Sequence, residues 1–161
     1  MIKQLNILFV TFFKIGKIKF APGTVASLVT CVCFLLLIKV FSFFVLFLLI
    51  FIIAFYSLIA INNSFDLFKS SDPQEIVIDE VVGQMIPLLA IPIYETLFLV
   101  PKEYYCIVCF LLFRLFDIWK PFPISYIDKN SEGALGIMLD DVVAGLFSTF
   151  LIILISFYLG G

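Results

Sequence analysis

The sequence contains no histidine and few charged residues of either sign. Of its 161 residues, 63% are hydrophobic and only 14% are charged, and the mean hydropathy is +1.22. A soluble domain is usually nearer half apolar and a quarter charged. The absence of histidine excludes imidazole acid–base catalysis, phosphohistidine intermediates and histidine-ligated zinc. The composition therefore predicts an integral membrane protein whose polar chemistry depends on other side chains.

The sequence also lacks an excess of positive charge and a cysteine in surroundings that would stabilise a thiolate. The formal net charge is −2, so there is no excess of positive charge to bind nucleic acid. The four cysteines lie in apolar runs, at Cys31, Cys33, Cys106 and Cys109. The last two form a C-x-x-C spacing, which in other settings indicates redox or metal chemistry. No nearby cation would stabilise a thiolate here, so we interpret these cysteines as buried apolar residues.

Hydropathy predicts an all-α fold, a polytopic helical membrane bundle of about five spans in one domain of residues 1–161. The predicted spans cover residues 22–40, 41–62, 79–100, 104–119 and 140–159. The fourth is short for the roughly 20 residues that a crossing requires. Residues 2–14 carry a lysine near each end and predict a helix that lies in the membrane interface.

The lysines fall unequally on the two sides of the membrane when the chain is threaded through these spans. One side collects Lys3, Lys14, Lys17, Lys19, Lys69, Lys120 and Lys129, with Arg114 near it, and the other has Lys39 and Lys102. This excess predicts that the first side is cytoplasmic. The same side receives ten of the twelve acids. The threading therefore predicts a polar site at the cytoplasmic interface.

Two acids open the third predicted span, in the stretch SDPQEIVIDEVVGQ of residues 71–84. Acids suit a helix N-terminus, which is enough to explain Glu75. Asp79 and Glu80 instead abut an apolar run, where ionisable residues are functional by default. Gln84 lies one turn above Glu80.

Two cations and an acid share a broad face at the end of the fourth predicted span. Arg114, Asp117 and Lys120 follow i, i+3, i+6 spacing in FRLFDIWKPFPI, and such a set can bind a phosphate group. The alternative is an Arg–Asp pair that merely neutralises itself, with Lys120 as an interface anchor. Two prolines then end the helix.

The fifth predicted span begins at two adjacent aspartates, Asp140 and Asp141, after the loop DKNSEGALGIM. A helix cap uses only one acid, so the other is left for different work. Ala144 and Gly145 predict tight packing against another helix one turn later. Carboxylates that converge from several helix ends, without histidine or thiolate, select a hard cation such as Mg²⁺ or Mn²⁺. Such an ion can polarise a phosphoryl oxygen and activate water.

Four segments, in order, resemble the bacterial phosphatidylglycerophosphatase A family. They are APGT at 21–24, DPQEIVIDEVVGQ at 72–84, RLFDIWKPFPI at 114–124, and the run from DKN at 128 to GIMLDD, which ends at 141. The resemblance covers almost the whole chain. It implies Mg²⁺-dependent hydrolysis of phosphatidylglycerophosphate, an anionic phospholipid, to phosphatidylglycerol and inorganic phosphate. The implied location is the cytoplasmic face of the inner membrane.

The resemblance also implies roles for particular residues. The implied catalytic acids are Asp79, Glu80, Asp117, Asp140 and Asp141. The implied metal ligands are Asp79, Glu80, Asp140 and Asp141. The implied phosphate-binding residues are Arg114, Lys120, Thr24 and Asn130. Ala26 and Ala134 depart from the family pattern, in which glycine is common at these two positions.

Other classes remain as alternatives. A small membrane transporter, a channel or an ion-binding protein could use the same acidic cluster, but it would favour acids near the membrane midplane or rings of charge along a pore. A scaffold without chemistry would not need so many acids at one interface. The D-x-D-x-[TV] pattern of aspartyl phosphatases and the acidic pattern of CDP-alcohol phosphotransferases are both absent from the sequence.

Overall fold

The structure is a computed structural model that describes residues 2–68, 73–91, 94 and 101–160, and this part of the chain is helical without strands. The helices are α1 (Ile2–Val10), α2 (Pro22–Leu37), α3 (Phe43–Ser64), α4 (Ile78–Leu88), α5 (Lys102–Trp119), α6 (Ile124–Asn130) and α7 (Gly133–Gly160). Short 3-10 turns at Ile15–Lys17 and Phe65–Leu67 follow α1 and α3. The all-α expectation is thus confirmed.

Two of these helices are long and apolar enough to cross a membrane. The qualifying segments are Phe43–Leu67 and Gly133–Tyr158, and α2 is a shorter apolar helix. Large apolar side chains stand exposed along α3 and the outer half of α7, for example Phe51 and Phe150, as a lipid-facing surface requires. These features indicate association with a membrane.

Several predicted boundaries differ from the observed ones. The N-terminal helix ends at Val10 rather than at residue 14, because Phe12, Phe13 and Lys14 adopt left-handed backbone angles. The helix that starts the third predicted span runs only from Ile78 to Leu88. Residues 92, 93 and 95–100 of that predicted span lie outside the described residues, as do Lys69 and Asp72. The short helix α6 stands where the sequence predicted a loop.

The largest difference concerns the start of the last helix. Hydropathy placed that start at Asp140, but α7 begins at Gly133, whose φ is +68°. The two aspartates therefore lie about two turns, or about 11 Å, inside the helix. Neither of them can cap it, because a capping side chain must precede the first turn. The capping alternative for this pair is wrong.

Two glycines allow α4 and α7 to meet at backbone distance. A Cβ on Gly83 would lie 2.7 Å from the carbonyl oxygen of Asp141, and a Cβ on Gly145 would overlap the carbonyl oxygen of Gly83. No side chain larger than hydrogen fits between the helices at these positions. The tight packing expected at Gly145 is confirmed, and its partner is the helix that carries Asp79 and Glu80.

The N-terminal segment packs against the chain just before α4. The amide of Val77 donates to the carbonyl oxygen of Val10 at 3.0 Å, and a Cβ on Gly16 would overlap the carbonyl group of Glu75. α1 itself lies on α3, where the hydroxyl of Tyr56 donates to the buried Asn6 at 3.0 Å. These contacts hold the residues that lead into α4 against the N-terminal segment.

Candidate functional site

A polar cavity of about 870 Å³ lies where α2, α4, α5 and α7 come together. The first turns of α2 and α4 form one wall, and the end of α5 with the first turns of α7 forms the other. Seven acids and four cations line it, namely Asp79, Glu80, Asp117, Asp128, Glu132, Asp140, Asp141, Lys19, Arg114, Lys120 and Lys129. The cavity thus gathers acids from four helices beside cations.

Three carboxylates form the inner end of this cavity. Asp79, Glu80 and Asp141 each offer an oxygen within 4.8 Å of the other two. Buried oxygens of two of them, Asp79 Oδ1 and Glu80 Oε2, have no hydrogen-bond partner among the described residues. Buried carboxylates are costly unless they are paired or coordinate a metal. The group therefore fits a metal ion, because oxygens bound to one Mg²⁺ ion lie about 3 Å apart when adjacent and about 4.2 Å apart when opposite.

Gly23 makes room for this carboxylate group at the start of α2. A Cβ at this position would overlap Oε1 of Glu80. α2 begins there because Pro22 occupies its first turn, where the missing amide hydrogen costs nothing. The preceding Ala21 has a left-handed backbone with φ 44°. The APGT segment thus presents a bare backbone to the acid on α4.

Arg114 and Asp117 form an ion pair on α5 and line the same cavity as the three carboxylates. Their side chains are 14% and 13% exposed. The self-neutralising pair that the sequence left open is therefore present. The Arg114 guanidinium nevertheless keeps a buried Nε with no hydrogen-bond partner among the described residues. Since an unpaired buried donor is costly, it is suited to an anion in the cavity.

Lys120 connects two further acids at the mouth of the cavity. Its ammonium donates to Asp140 Oδ2 at 2.7 Å and also to Asp128 Oδ1. Burial acts to lower the pKa of Lys120, but the hydrogen bonds to Asp128 and Asp140 outweigh it and raise the pKa above its usual value. The lysine therefore stays protonated and holds one face of the Asp140 carboxylate. The other oxygen, Asp140 Oδ1, is buried without a partner in the described structure.

The adjacent aspartates thus have different surroundings. Asp141 belongs to the group with Asp79 and Glu80, whereas Asp140 binds Lys120 and is not among those three. The cause is helical geometry, because neighbouring residues point about 100° apart. The family resemblance implied that both aspartates are metal ligands, whereas the structure brings only Asp141 into the group with Asp79 and Glu80.

Thr24 and Asn130, which were both predicted to bind phosphate, differ in whether they line the cavity. Thr24 lines the cavity in the first turn of α2, whose N-cap residue is Ala21. Asn130 is exposed, does not line the cavity, and donates to the carbonyl oxygen of Tyr126 at 2.7 Å. The structure therefore brings Thr24 to the site but not Asn130.

Sequence reasoning missed two contributors to this site. Gly23 entered the sequence analysis only as part of the APGT segment, although the close approach of Glu80 is what requires it. Lys19 lines the cavity from the segment before α2, whereas it had been interpreted only as part of the positive charge on one membrane side. The PGT sequence was the one signal that could have indicated a role for Gly23.

These features define a helical, membrane-associated protein with a cavity suited to a metal ion and an anion. Comparison with known proteins identifies the family. Residues 8–156 match the profile of Phosphatidylglycerophosphatase A. The chain belongs to this family, and it is a phosphatase.

Individual relatives agree with this assignment. A Bacteroides thetaiotaomicron protein, provisionally named a phosphatidylinositol-3-phosphatase, is 34% identical over 160 residues, which are 97% of this chain and 96% of that one. Phosphatidylglycerophosphatase A of Escherichia coli is 40% identical over 77 residues, 48% of this chain and 41% of its own length. The Haemophilus influenzae enzyme of that name is 40% identical over 88 residues, 55% and 50% respectively. No solved structure matches the chain.

We predict that Gly23→Ala weakens metal binding by Asp79, Glu80 and Asp141 without unfolding the protein. The added methyl group displaces the end of a flexible side chain, Glu80, and not a backbone. Mn²⁺ affinity, measured by electron paramagnetic resonance, should fall about 10–100-fold, while Tm changes little. Adding Glu80→Asp, which shortens the acid by one methylene, should restore part of the affinity.

The matched control is Gly145→Ala, whose methyl group would meet backbone. It should lower stability by about 1–3 kcal/mol and reduce Tm. Wild-type Mn²⁺ affinity in Gly23→Ala would show that Glu80 is not held against α2 as described.

Proposed function

We propose that this protein hydrolyses phosphatidylglycerophosphate to phosphatidylglycerol and inorganic phosphate, with Mg²⁺, at the cytoplasmic face of the inner membrane. The observation that carries the proposal is the arrangement of the cavity. Three carboxylates, two of which have an unpaired buried oxygen, line the same cavity as Arg114 and Lys120. Membership of the Phosphatidylglycerophosphatase A family supports the choice of substrate.

Asp79, Glu80 and Asp141 would hold the Mg²⁺ ion. A hard divalent cation is what three carboxylates select in the absence of histidine and thiolate. When bound, the ion neutralises negative charge on the phosphoryl group and lowers the pKa of a coordinated water molecule. The chain's own contribution is to keep the three acids close through the glycine contacts between α2, α4 and α7.

The cations of the cavity would orient the phosphate monoester. Arg114, with its unpaired Nε, donates to a phosphoryl oxygen while Asp117 fixes the guanidinium plane. Lys120 at the mouth, with Thr24 on the opposite wall, contacts the incoming headgroup. Asn130 joins this set only if α6 shifts toward the cavity, since its amide is engaged by Tyr126.

Asp140 would position the attacking water. Lys120 holds its Oδ2, which leaves the buried Oδ1 to accept a hydrogen bond from water. The water oxygen adds to phosphorus, its proton passes to a carboxylate, and the phosphorus–oxygen bond to the glycerol breaks. The carboxylate passes that proton to the leaving glycerol oxygen, so that the products are the alcohol and inorganic phosphate.

A second substrate follows from one specific observation. The relative from Bacteroides thetaiotaomicron matches nearly the whole chain and is named for a phosphatidylinositol phosphate. Both lipids present a phosphate monoester on a polyol, and the cavity has room for either headgroup. A transporter is less well supported, because the acids lie at one end of the helices and not along a path through them.

The proposed activity is tested by phosphate release from the purified protein in detergent micelles. We expect hydrolysis of phosphatidylglycerophosphate with Mg²⁺, loss of activity with excess EDTA, and recovery when Mg²⁺ is restored. Phosphatidylinositol 3-phosphate, at equal surface concentration, should be hydrolysed with lower kcat/KM. The reverse preference would transfer the proposal to the inositol lipid, and full activity in EDTA would remove the metal from it.

The two adjacent aspartates should respond differently to asparagine, which keeps their size but removes the charge. Asp141→Asn should reduce turnover by about 10²–10⁴-fold and raise the Mg²⁺ concentration needed for half-maximal activity. Asp140→Asn should reduce turnover while it leaves that concentration nearly unchanged. Both variants are assayed across a Mg²⁺ titration.

The control for this pair is Asp66→Asn, an exposed acid outside the cavity. It should behave as wild type. If Asp141→Asn kept a normal Mg²⁺ requirement, the assignment of Asp141 to the metal would be wrong.

We propose a multi-pass arrangement of about five spans with the cavity on the cytoplasmic side. The support is the set of exposed lysines near the cavity, Lys14, Lys17 and Lys19, against Lys39 at the far end of α2. In a cysteine-free background, Asn130→Cys should resist a membrane-impermeant maleimide in right-side-out vesicles, whereas Lys39→Cys should react. Labelling of Asn130→Cys before permeabilisation would reverse the orientation.

A further inference from the structure

Gln84 is a buried polar residue to which the proposed mechanism assigns no role. It lies on α4 and is 0% exposed, and neither its Nε2 nor its Oε1 has a hydrogen-bond partner in the described part of the chain. Burial of an amide without a partner is unfavourable, so native proteins rarely keep one without a reason. An apolar side chain of similar size would pack here without that cost.

Five other buried polar residues of the helices differ from Gln84 in this respect. Their hydroxyl groups donate to the backbone carbonyl oxygen four residues earlier, at Ser27, Thr30, Ser57, Ser64 and Ser148. Helical hydroxyls are commonly satisfied in this way. A glutamine amide has no equivalent bond here, so its two polar atoms need a partner that is not one of these backbone groups.

The position of Gln84 connects it to the carboxylate group. It follows Glu80 by four residues, so the two side chains are neighbours on one face of α4. That face meets α2, because Glu80 contacts Gly23. Glu80 also has a buried oxygen, Oε2, without a partner among the described residues. Successive turns of α4 therefore carry an unpaired acceptor, on Glu80, and an unpaired amide donor, on Gln84.

We propose that Gln84 is a positioning residue that holds the Glu80 carboxylate in its metal-binding orientation through one buried water molecule. Gln84 Nε2 donates to the water, and the water donates to Glu80 Oε2. Buried waters typically satisfy buried polar groups that lack a protein partner. The other oxygen of Glu80, which lies against Gly23, is then directed toward Asp79 and Asp141. This inference rests on the metal-binding part of the proposed function.

The decisive variant is Gln84→Met, which keeps the length of the side chain and removes its hydrogen bonding. A positioning role and a structural role predict opposite results. For a positioning residue, Tm without metal should change little, because the variant removes the burial cost of the amide together with its hydrogen bond to the water. Mn²⁺ affinity by electron paramagnetic resonance and kcat should each fall about 10–100-fold, with KM for the phospholipid little changed. Gln84→Asn, which retains the amide on a shorter stem, should recover part of both losses.

The matched control is Ser57→Ala, which removes a buried polar group on α3 that bonds back to Ile53. It should leave Mn²⁺ affinity and kcat unchanged. A lower Tm for Gln84→Met with wild-type Mn²⁺ affinity per folded molecule would overturn the inference. Wild-type protein that binds Mn²⁺ but hydrolyses no phospholipid would overturn the proposed function alone, because the affinity ratio between wild type and Gln84→Met still measures the role of Gln84.

Discussion

The site depends on how closely α4 and α7 approach each other. Gly83 and Gly145 remove the side chains that would hold the two helices apart, and their backbones come into contact. One turn from this contact, Asp79 and Glu80 on one helix meet Asp141 on the other. Carboxylates would not come together unaided, since their charges repel and their burial is costly. Packing at the glycines supplies the opposing force and fixes the site before any ligand arrives.

The polar residues form two connected parts around that contact. The inner part is the carboxylate group with its unpaired oxygens. The outer part contains the Arg114–Asp117 pair and the lysine between Asp128 and Asp140. Asp140 and Asp141 link the two parts because they are neighbours in sequence and point to different sides of α7. A rigid helix therefore sets the distance between the proposed metal site and the proposed phosphate-binding side chains.

Much of this arrangement could be predicted from sequence. Hydropathy located the apolar helices, and the spacing of Arg114 and Asp117 indicated their shared face. Lys120, which was expected on that face, lies just beyond the end of α5 with φ 46°. The start of α7 could not be found in this way. The residues from Gly133 to Leu139 include two glycines and follow a polar stretch, so they resembled a loop although the other five are apolar. The hydrogen bonds of Lys120 to Asp128 and Asp140 depend on the position of α6, a short helix that the sequence pattern indicates only weakly. The contact of Gly23 with Glu80 joins residues far apart in the chain, which no local pattern reports.

The charges that line the cavity have a consequence for the order of events during turnover. Seven carboxyl groups against four cations leave a formal charge of −3, which repels a phosphate monoester carrying about two negative charges at neutral pH. A divalent cation reduces that imbalance to −1. Metal and lipid should therefore bind with positive linkage, each raising the affinity for the other by the same factor. The metal-free protein would hold its substrate poorly, and product phosphate would leave more readily whenever the cation leaves with it.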